Sequence, residues 1–334
     1  RHPIDRFVMA TLRDRGLNMA PPAQPDRLIR RLYLDLTGLI PPPEVVKDFI
    51  ADPSDEHYRQ IVEQLLDDEQ HGVRWAKFWL DLVRYADSDG YSADAYRDEA
   101  WRYRDYVIDS FNQNRPYDQF IRQQLAGDEL DPNNQTAQIA TGFLRHWIYE
   151  FNQRDAKSQW NIILNDITDV TGDAFLGLGM SCARCHDHKF DPILQNDYYR
   201  LRAFFAPLLP LDEQLAGTPT ERAAYQAQLE KWQQATTDIR KQIDSMQAQH
   251  IETLTTAQIE KFPLDVRPSL YKKGNERTPY EKQIAYLAFR QVQKKINEVD
   301  WLKHFQETDL EKWKQLTTEL KSFESLKPAP LGVI

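Results

Sequence analysis

The two cysteines of the chain lie together in the segment Cys182-Ala183-Arg184-Cys185-His186. The spacing Cys-x-x-Cys-His is the attachment sequence of a c-type haem. Two thiols three residues apart can each form a thioether with one of the two vinyl groups at a porphyrin edge, and the next imidazole then ligates the iron. The sequence therefore predicts one covalent haem c on Cys182 and Cys185, with His186 as the proximal iron ligand.

Three other interpretations of this segment are open. A thioredoxin-like dithiol lies at a helix start in a βαβ setting, but residues 161–178 have a helical pattern and no strand leads in. Half of a zinc site could use Cys182, Cys185, His186 and His188, although structural zinc sites usually draw two pairs of ligands from separated segments. Four donors within seven residues would strain the loop. The third is a pair of thiols with no role, and haem is favoured over all three.

The second axial ligand of the iron decides the function of such a haem. A second protein ligand makes an electron carrier, whereas an open position permits binding or catalysis. His188 follows His186 too closely to reach the opposite face of the ring. The candidates are His146, in an aromatic-rich segment upstream, His71, which opens the helix bearing Trp75, and also His57, Met9 and Met19. His146 is ranked first, with His71 as its alternative.

Polar residues elsewhere suggest further contacts with a cofactor. Arg102 could pair with a haem propionate, because a guanidinium matches a carboxylate bidentately, and His188 could donate a hydrogen bond to the same group. Asp87 and Asp89 flank a turn with oxygen donors at alternating positions, which could hold calcium. The alternative for this turn is a loop between two helices, with Asp94 as the N-cap of the second helix.

Composition excludes several classes of protein. The chain has 334 residues and a formal net charge of −9, so no basic face is available to bind nucleic acid. No run of 18 apolar residues occurs, so no transmembrane segment is predicted. Because covalent haem attachment takes place outside the cytoplasm, we expect a periplasmic or otherwise extracytoplasmic protein. The chain begins at Arg1 without a leader and stops in an extended apolar stretch, so we expect a piece of a longer protein.

Hydrophobic spacing predicts a mainly α-helical fold, since apolar residues recur every three or four positions and no long stretch alternates. We expect a helical haem domain over residues 1–210. Residues 225–250 carry a heptad pattern, and a second long helical pattern covers residues 280–327. Residues 211–334 are therefore predicted to form a long antiparallel helical hairpin, coiled-coil-like, through which the protein could form oligomers.

Several segments together resemble a planctomycete-type, cytochrome c-associated domain of unknown function, over about residues 3–210. These are residues 3–7, 30–39, 84–91, 101–107, 116–120, 125–129, 140–143 and 182–193, the last reading Cys-Ala-Arg-Cys-His-Asp-His-Lys-Phe-Asp-Pro-Ile. The resemblance implies an exported protein with a further cytochrome c domain. Its members often lie near polysaccharide-degrading functions, which points to a carbohydrate partner. The family often has a histidine in the helix over residues 75–82; this chain has none there, and His71 is the nearby substitute.

Three functions follow as hypotheses. The first is an exported electron-transfer cytochrome that works with a redox partner protein or a further cytochrome domain. The second is a haem-dependent oxidoreductase acting on a carbohydrate-like substrate or a peroxide, with a pocket lined by Asp87, Asp89, Asp128 and Arg102. The third is a structural or assembly protein that uses the helical hairpin.

Overall fold

A computed structural model describes residues 2–212, 214–303 and 305–333. In these residues the chain forms fifteen α-helices, joined by connections that range from single turns to long loops, and no β-sheet is present. The predicted mainly α-helical class is confirmed. Arg1 and Ile334, the two chain ends from which a longer protein was inferred, lie outside the described residues.

The helices divide between two compact units, the first formed by residues 1–78 and 108–114 and the second by residues 79–107 and 115–334. The first unit contains α1 (Pro3–Asp14), α2 (Pro25–Leu36), α3 (Pro43–Ala51) and α4 (Asp55–Leu66). Two helices run from one unit into the other, α5 (Glu69–Leu82) and α6 (Trp101–Asn112). The second unit also contains α7 (Tyr117–Leu130), α8 (Gln135–Ala140), α9 (Ala156–Thr171), α10 (Gln195–Phe205), α11 (Pro219–Ala235), α12 (Thr237–Ile259), α13 (Arg267–Tyr271), α14 (Pro279–Asn297) and α15 (Glu307–Ser322).

Local sequence explains the helix ends of the first unit. Gly38, with φ +74°, follows the end of α2 in the left-handed region that glycine tolerates. Pro43 opens α3, and the hydroxyl of Ser54 accepts a hydrogen bond from the backbone N–H of His57 at the start of α4. The apolar stripes of these helices meet in one core of Ile29, Leu32, Phe49, Ile61 and Leu65.

The core of the second unit does not follow the predicted division at residue 210. Trp147, Trp160 and Ile163 pack in one cluster with Leu287 and Val292 of α14. All five are at most 2 % exposed. Residues 211–334 therefore supply part of the core of the segment before them. This shared core does not favour the predicted separation into a haem domain and an extension, which stays a prediction.

The helices after residue 211 differ in detail from the predicted hairpin of two long helices. Instead of one heptad helix there are α11 and α12, which meet at Thr236; this buried side chain donates its hydroxyl hydrogen bond to the carbonyl of Trp232. The second long pattern is also divided, into α14 and α15. Helix α12 packs against both of them. Among the described residues, no helix is both long enough and apolar enough to span a membrane.

Candidate functional site

The Cys-x-x-Cys-His segment lies on the long connection between α9 and α10, residues 172–194. A single turn of π-helix, Gly172–Leu176, follows α9, and a 3₁₀ turn, Met180–Arg184, carries the first cysteine. Met180 and Ala183 point into a small core, where they pack with Ile193 and Tyr198. Because Ala183 is 0 % exposed, the chain turns the neighbouring positions outward, and both Cys182 and Cys185 are exposed free thiols.

Helix α10 holds the segment from the other side. The backbone N–H of Gln195 donates to Oδ1 of Asp187 at 2.8 Å. The side-chain amide of Gln195 and the hydroxyl of Tyr199 both donate to the backbone carbonyl of Arg184, at 3.3 and 3.1 Å. The peptide between the two cysteines is thus hydrogen-bonded to a helix, so the two thiols are presented by a supported turn.

The two histidines of the segment have different surroundings. His186 is exposed, and its Nδ1 lies 2.8 Å from the backbone carbonyl of Asp187, to which it must donate. Its Nε2 then carries the lone pair, which is the arrangement found in metal-ligating histidines. His188 is less exposed, and its Nδ1 accepts from the backbone N–H of Asp191 at 2.9 Å. His188 therefore shapes its own loop, and its contact with a propionate stays a prediction.

Apolar side chains are exposed on both sides of the segment along the chain. Leu176 and Leu178 precede it, and Phe190 and Leu194 follow it; Phe190 is 84 % exposed. Two exposed free thiols and an imidazole whose Nδ1 donates to a backbone carbonyl are groups to which a porphyrin could attach.

The competing interpretations of the cysteines find less support. In the part of the chain that the structure describes, no three His, Cys, Asp or Glu side chains are grouped so that they could hold a metal ion. The four donors of the zinc hypothesis therefore do not converge. The dithiol hypothesis expects a strand before the cysteines, but they follow a π-helical turn and a 3₁₀ turn.

His146 is buried in the second unit. Its ring is 8 % exposed and lies edge-on to Tyr103, with ring centroids 4.5 Å apart. Its Nδ1 lies 3.1 Å from the carbonyl of Val83, to which it donates. Burial lowers the pKa of His146 to about 3, and the hydrogen bond to Val83 opposes this only in part. The imidazole is neutral at physiological pH, as an iron ligand must be, and its role as distal ligand stays a prediction.

His71 belongs to the first unit. Its Nδ1 lies 3.1 Å from the backbone carbonyl of Leu36, and its ring is 6.1 Å from that of Trp75. This hydrogen bond again leaves Nε2 as the lone-pair nitrogen. Both candidate distal histidines therefore have the same tautomer, and the choice between them stays a prediction.

A cavity of about 490 Å³ lies within the second unit. Four residues singled out in the sequence line it, Asp89, Arg102, Asp128 and His146. Three of these were predicted to line a pocket. The fourth member of that set, Asp87, accepts a hydrogen bond from the hydroxyl of Tyr85. The predicted place of these residues beside a haem stays a prediction, because neither cysteine nor His186 lines this cavity.

Asp89 is the most buried carboxylate of this cavity, at 2 % exposure. Arg97 and Arg145 donate to its Oδ1 at 2.8 and 3.2 Å, and Arg290 donates to its Oδ2 at 2.9 Å. Burial alone would raise the pKa of Asp89, but the charges of Arg145, Arg290 and Arg97 bring it below its ordinary value. Guanidinium groups engage both oxygens, so Asp89 does not fit the predicted calcium site.

The other polar predictions gave mixed outcomes. Asp94 is not a helix N-cap: it has φ +40°, its carboxylate accepts from the backbone N–H of Gly90, and α6 begins only at residue 101. Arg102 donates through Nε to Glu99 at 2.8 Å, and its guanidinium lies 4.5 Å from the ring of Trp101. A contact between Arg102 and a propionate stays a prediction.

The sequence did not predict that three arginines surround Asp89. Arg145 and Arg290 follow Asp89 by 56 and 201 residues, so no local pattern links them. Arg97 is only eight residues away, but it bonds Asp89 through an irregular loop whose course periodicity does not predict.

Comparison with known proteins places the chain in a family. Residues 3–209 match the model of PSCyt2, described as "Protein of unknown function (DUF1549)". The chain belongs to this family, a planctomycete-type domain, as the resemblance over about residues 3–210 predicted. No curated protein and no solved structure gives a match.

Proposed function

We propose that the protein is an exported c-type cytochrome that carries one covalent haem and transfers electrons. The observation that carries this proposal is the presentation of the motif: both thiols are free and exposed on a supported turn, while Ala183 between them is buried. This arrangement leaves the cysteines available to a modifying system. In the proposal Cys182 and Cys185 hold the porphyrin edge, and His186 ligates the iron.

The haem supplies reversible one-electron chemistry at its iron. The contributions of the chain are positional. The Asp187 carbonyl orients the imidazole of His186 through Nδ1, so that Nε2 is the nitrogen able to ligate. Exposed Leu178 and Phe190 offer apolar surface that a porphyrin would remove from water. An exposed attachment site also suits electron exchange with a partner protein or a second cytochrome domain.

A haem stain and a reduced-minus-oxidised spectrum of protein made in a host with cytochrome-maturation machinery test the attachment. Haem should survive denaturing electrophoresis in the wild type and in Ser181→Ala, the matched control beside the motif. It should be absent from the double variant Cys182→Ala/Cys185→Ala. A colourless wild type, or covalent haem in the double variant, would overturn the proposal.

Electron transfer is tested separately from attachment. A carrier with two protein ligands should give a six-coordinate, low-spin spectrum that cyanide does not change. A high-spin spectrum that shifts on cyanide addition would contradict a simple carrier and favour the oxidoreductase hypothesis.

Export is tested by expressing the chain with and without an added secretion signal in the same host. Covalent haem should form only in the exported protein. Equal attachment in the cytoplasm would contradict the proposed extracytoplasmic location.

A further inference from the structure

One wall of the 490 Å³ cavity carries more positive than negative charge. The guanidiniums of Arg97, Arg145 and Arg290 share the single buried carboxylate of Asp89. A second carboxylate, Asp212, lies 3.7 Å from Nε of Arg145, but its side chain is 44 % exposed. Among the described residues of this wall, three cations therefore face two anions, one of which is at the solvent edge. Burial, together with the nearby charge of Arg145, lowers the pKa of Arg97, whereas the pKa of Arg290 is raised because Tyr286 and Asp89 outweigh its burial.

Two of these guanidiniums also have unused hydrogen-bonding capacity. Among the described residues, Nη1 of Arg145 and Nη1 of Arg290 are buried and have no hydrogen-bond partner. The guanidinium carbons lie 4.0 Å from the ring centroid of Trp147 and 4.3 Å from that of Tyr149. Aromatic rings stabilise a cation but supply no acceptor oxygen. Buried donors without acceptors are destabilising, so Arg145 and Arg290 carry hydrogen-bonding capacity that the described residues do not use.

The other described carboxylates of the cavity do not neutralise the positive charge of Arg145 and Arg290. Glu99 is paired with Arg102, and Asp98, Asp128 and Glu129 are exposed to solvent. Most of the remaining lining is apolar, including Leu125, Ile139, Leu144, Ile167, Leu208 and Pro210. The cavity volume is within the usual range for small-molecule sites, which are mostly apolar with a few convergent polar groups.

We propose that this cavity binds a small organic acid, with its carboxylate on Arg145 and Arg290 and its apolar body against the aliphatic and aromatic lining. A planar carboxylate is the group that a guanidinium fork pairs with best. An inorganic anion would neutralise the charge but would leave the apolar lining uncovered. Neither cysteine of the haem motif lines the cavity, although His146 and Arg102 do, so the acid-binding test is made on the protein without haem.

The test uses the full chain, purified without haem, with calorimetric titration at low salt. The probes are benzoate, 2-naphthoate and the straight-chain acids from acetate to decanoate, each compared with its primary amide. At least one carboxylate should bind roughly tenfold or more tightly than its amide, because the amide has the same shape but no charge. Inorganic sulfate should bind more weakly than that carboxylate.

Variants locate the binding. Arg145→Lys and Arg290→Lys keep the charge but remove the fork, and each should weaken the carboxylate roughly tenfold. Arg104→Lys is the matched control, since Arg104 pairs with Asp105 and does not line the cavity. If the Lys variants do not fold, the comparison of carboxylate with amide on the wild type decides alone. Equal binding of every acid and its amide, no binding of any acid, sulfate binding as tightly as the best acid, or unchanged binding by folded Lys variants would each overturn the proposal.

Discussion

Gly172 lies so close to Met180 that a Cβ on the glycine would be 2.8 Å from Cγ of the methionine and 3.1 Å from the carbonyl oxygen of Leu178. The turn after α9 can return beneath the cysteine segment only because position 172 has no side chain. Met180 in turn fills the small core on which Ala183 rests. The support of the cysteine motif therefore depends on a residue ten positions before its first cysteine.

Gly172→Ala should destabilise the protein by about 1–3 kcal/mol, the usual cost of forcing extra atoms into a packed core. It should also reduce the fraction of protein that acquires haem, because the displaced Met180 would disturb the turn. Gly179→Ala is the matched control in the same connection, since a Cβ added at that glycine would meet no atom within 4 Å. Urea unfolding with haem quantification measures both effects, and equal losses in the two variants would contradict this account.

Asp89→Asn should cost about 3 kcal/mol or more, because it leaves three guanidiniums around a neutral group. Asp87→Asn is the matched control: that carboxylate is exposed and accepts one hydrogen bond from Tyr85, so a loss of about 1 kcal/mol or less is expected. Chemical denaturation of both variants measures the difference. Similar stabilities would show that the cluster around Asp89 does not stabilise the fold.

The buried His146 should make stability depend on pH. Its pKa in the folded protein is about 3, below the ordinary value of 6.5. Between these values the unfolded chain binds a proton that the folded chain excludes, so the stabilising contribution is full above pH 6.5 and is lost as pH falls towards 3. The free energy of unfolding, measured from about pH 7 to about pH 4, should fall less steeply in His146→Gln than in the wild type. Parallel profiles would contradict the prediction.

The distal ligand can be identified by comparing His146→Gln with His71→Gln in haem-loaded protein. If His146 is the ligand, as ranked from the sequence, only its variant should lose the low-spin spectrum and bind cyanide. His71→Gln is then the control, because it removes a histidine with the same Nδ1 donation to a backbone carbonyl. A spectrum that changes only in His71→Gln would reverse the assignment, and two unchanged spectra would place the ligand elsewhere.

The sequence predicted the local features that depend on residues close together along the chain, such as where helices begin and end. A glycine after an apolar stripe predicts a helix stop and a serine before one predicts a helix cap, and Gly38 and Ser54 have those roles. The sequence could not reveal contacts that distant segments decide. At Asp89 it left a calcium site and a plain loop open, because Arg145 and Arg290, which bind this carboxylate, come from elsewhere in the chain. The heptad pattern continued through Thr236, but the hydroxyl there bonds back to Trp232 at the point where α11 gives way to α12.

Helix α14 has a practical consequence for any shortened version of this protein. The family match ends at residue 209, yet Ile284, Leu287 and Val292 lie against Trp160 and Trp147 in a single cluster. Cutting the chain at that limit would uncover two tryptophans and their aliphatic neighbours, and such a fragment should aggregate. The segment recognised by sequence similarity is thus shorter than the segment that shares this core, and residues beyond it belong to the same compact unit as the cysteine motif.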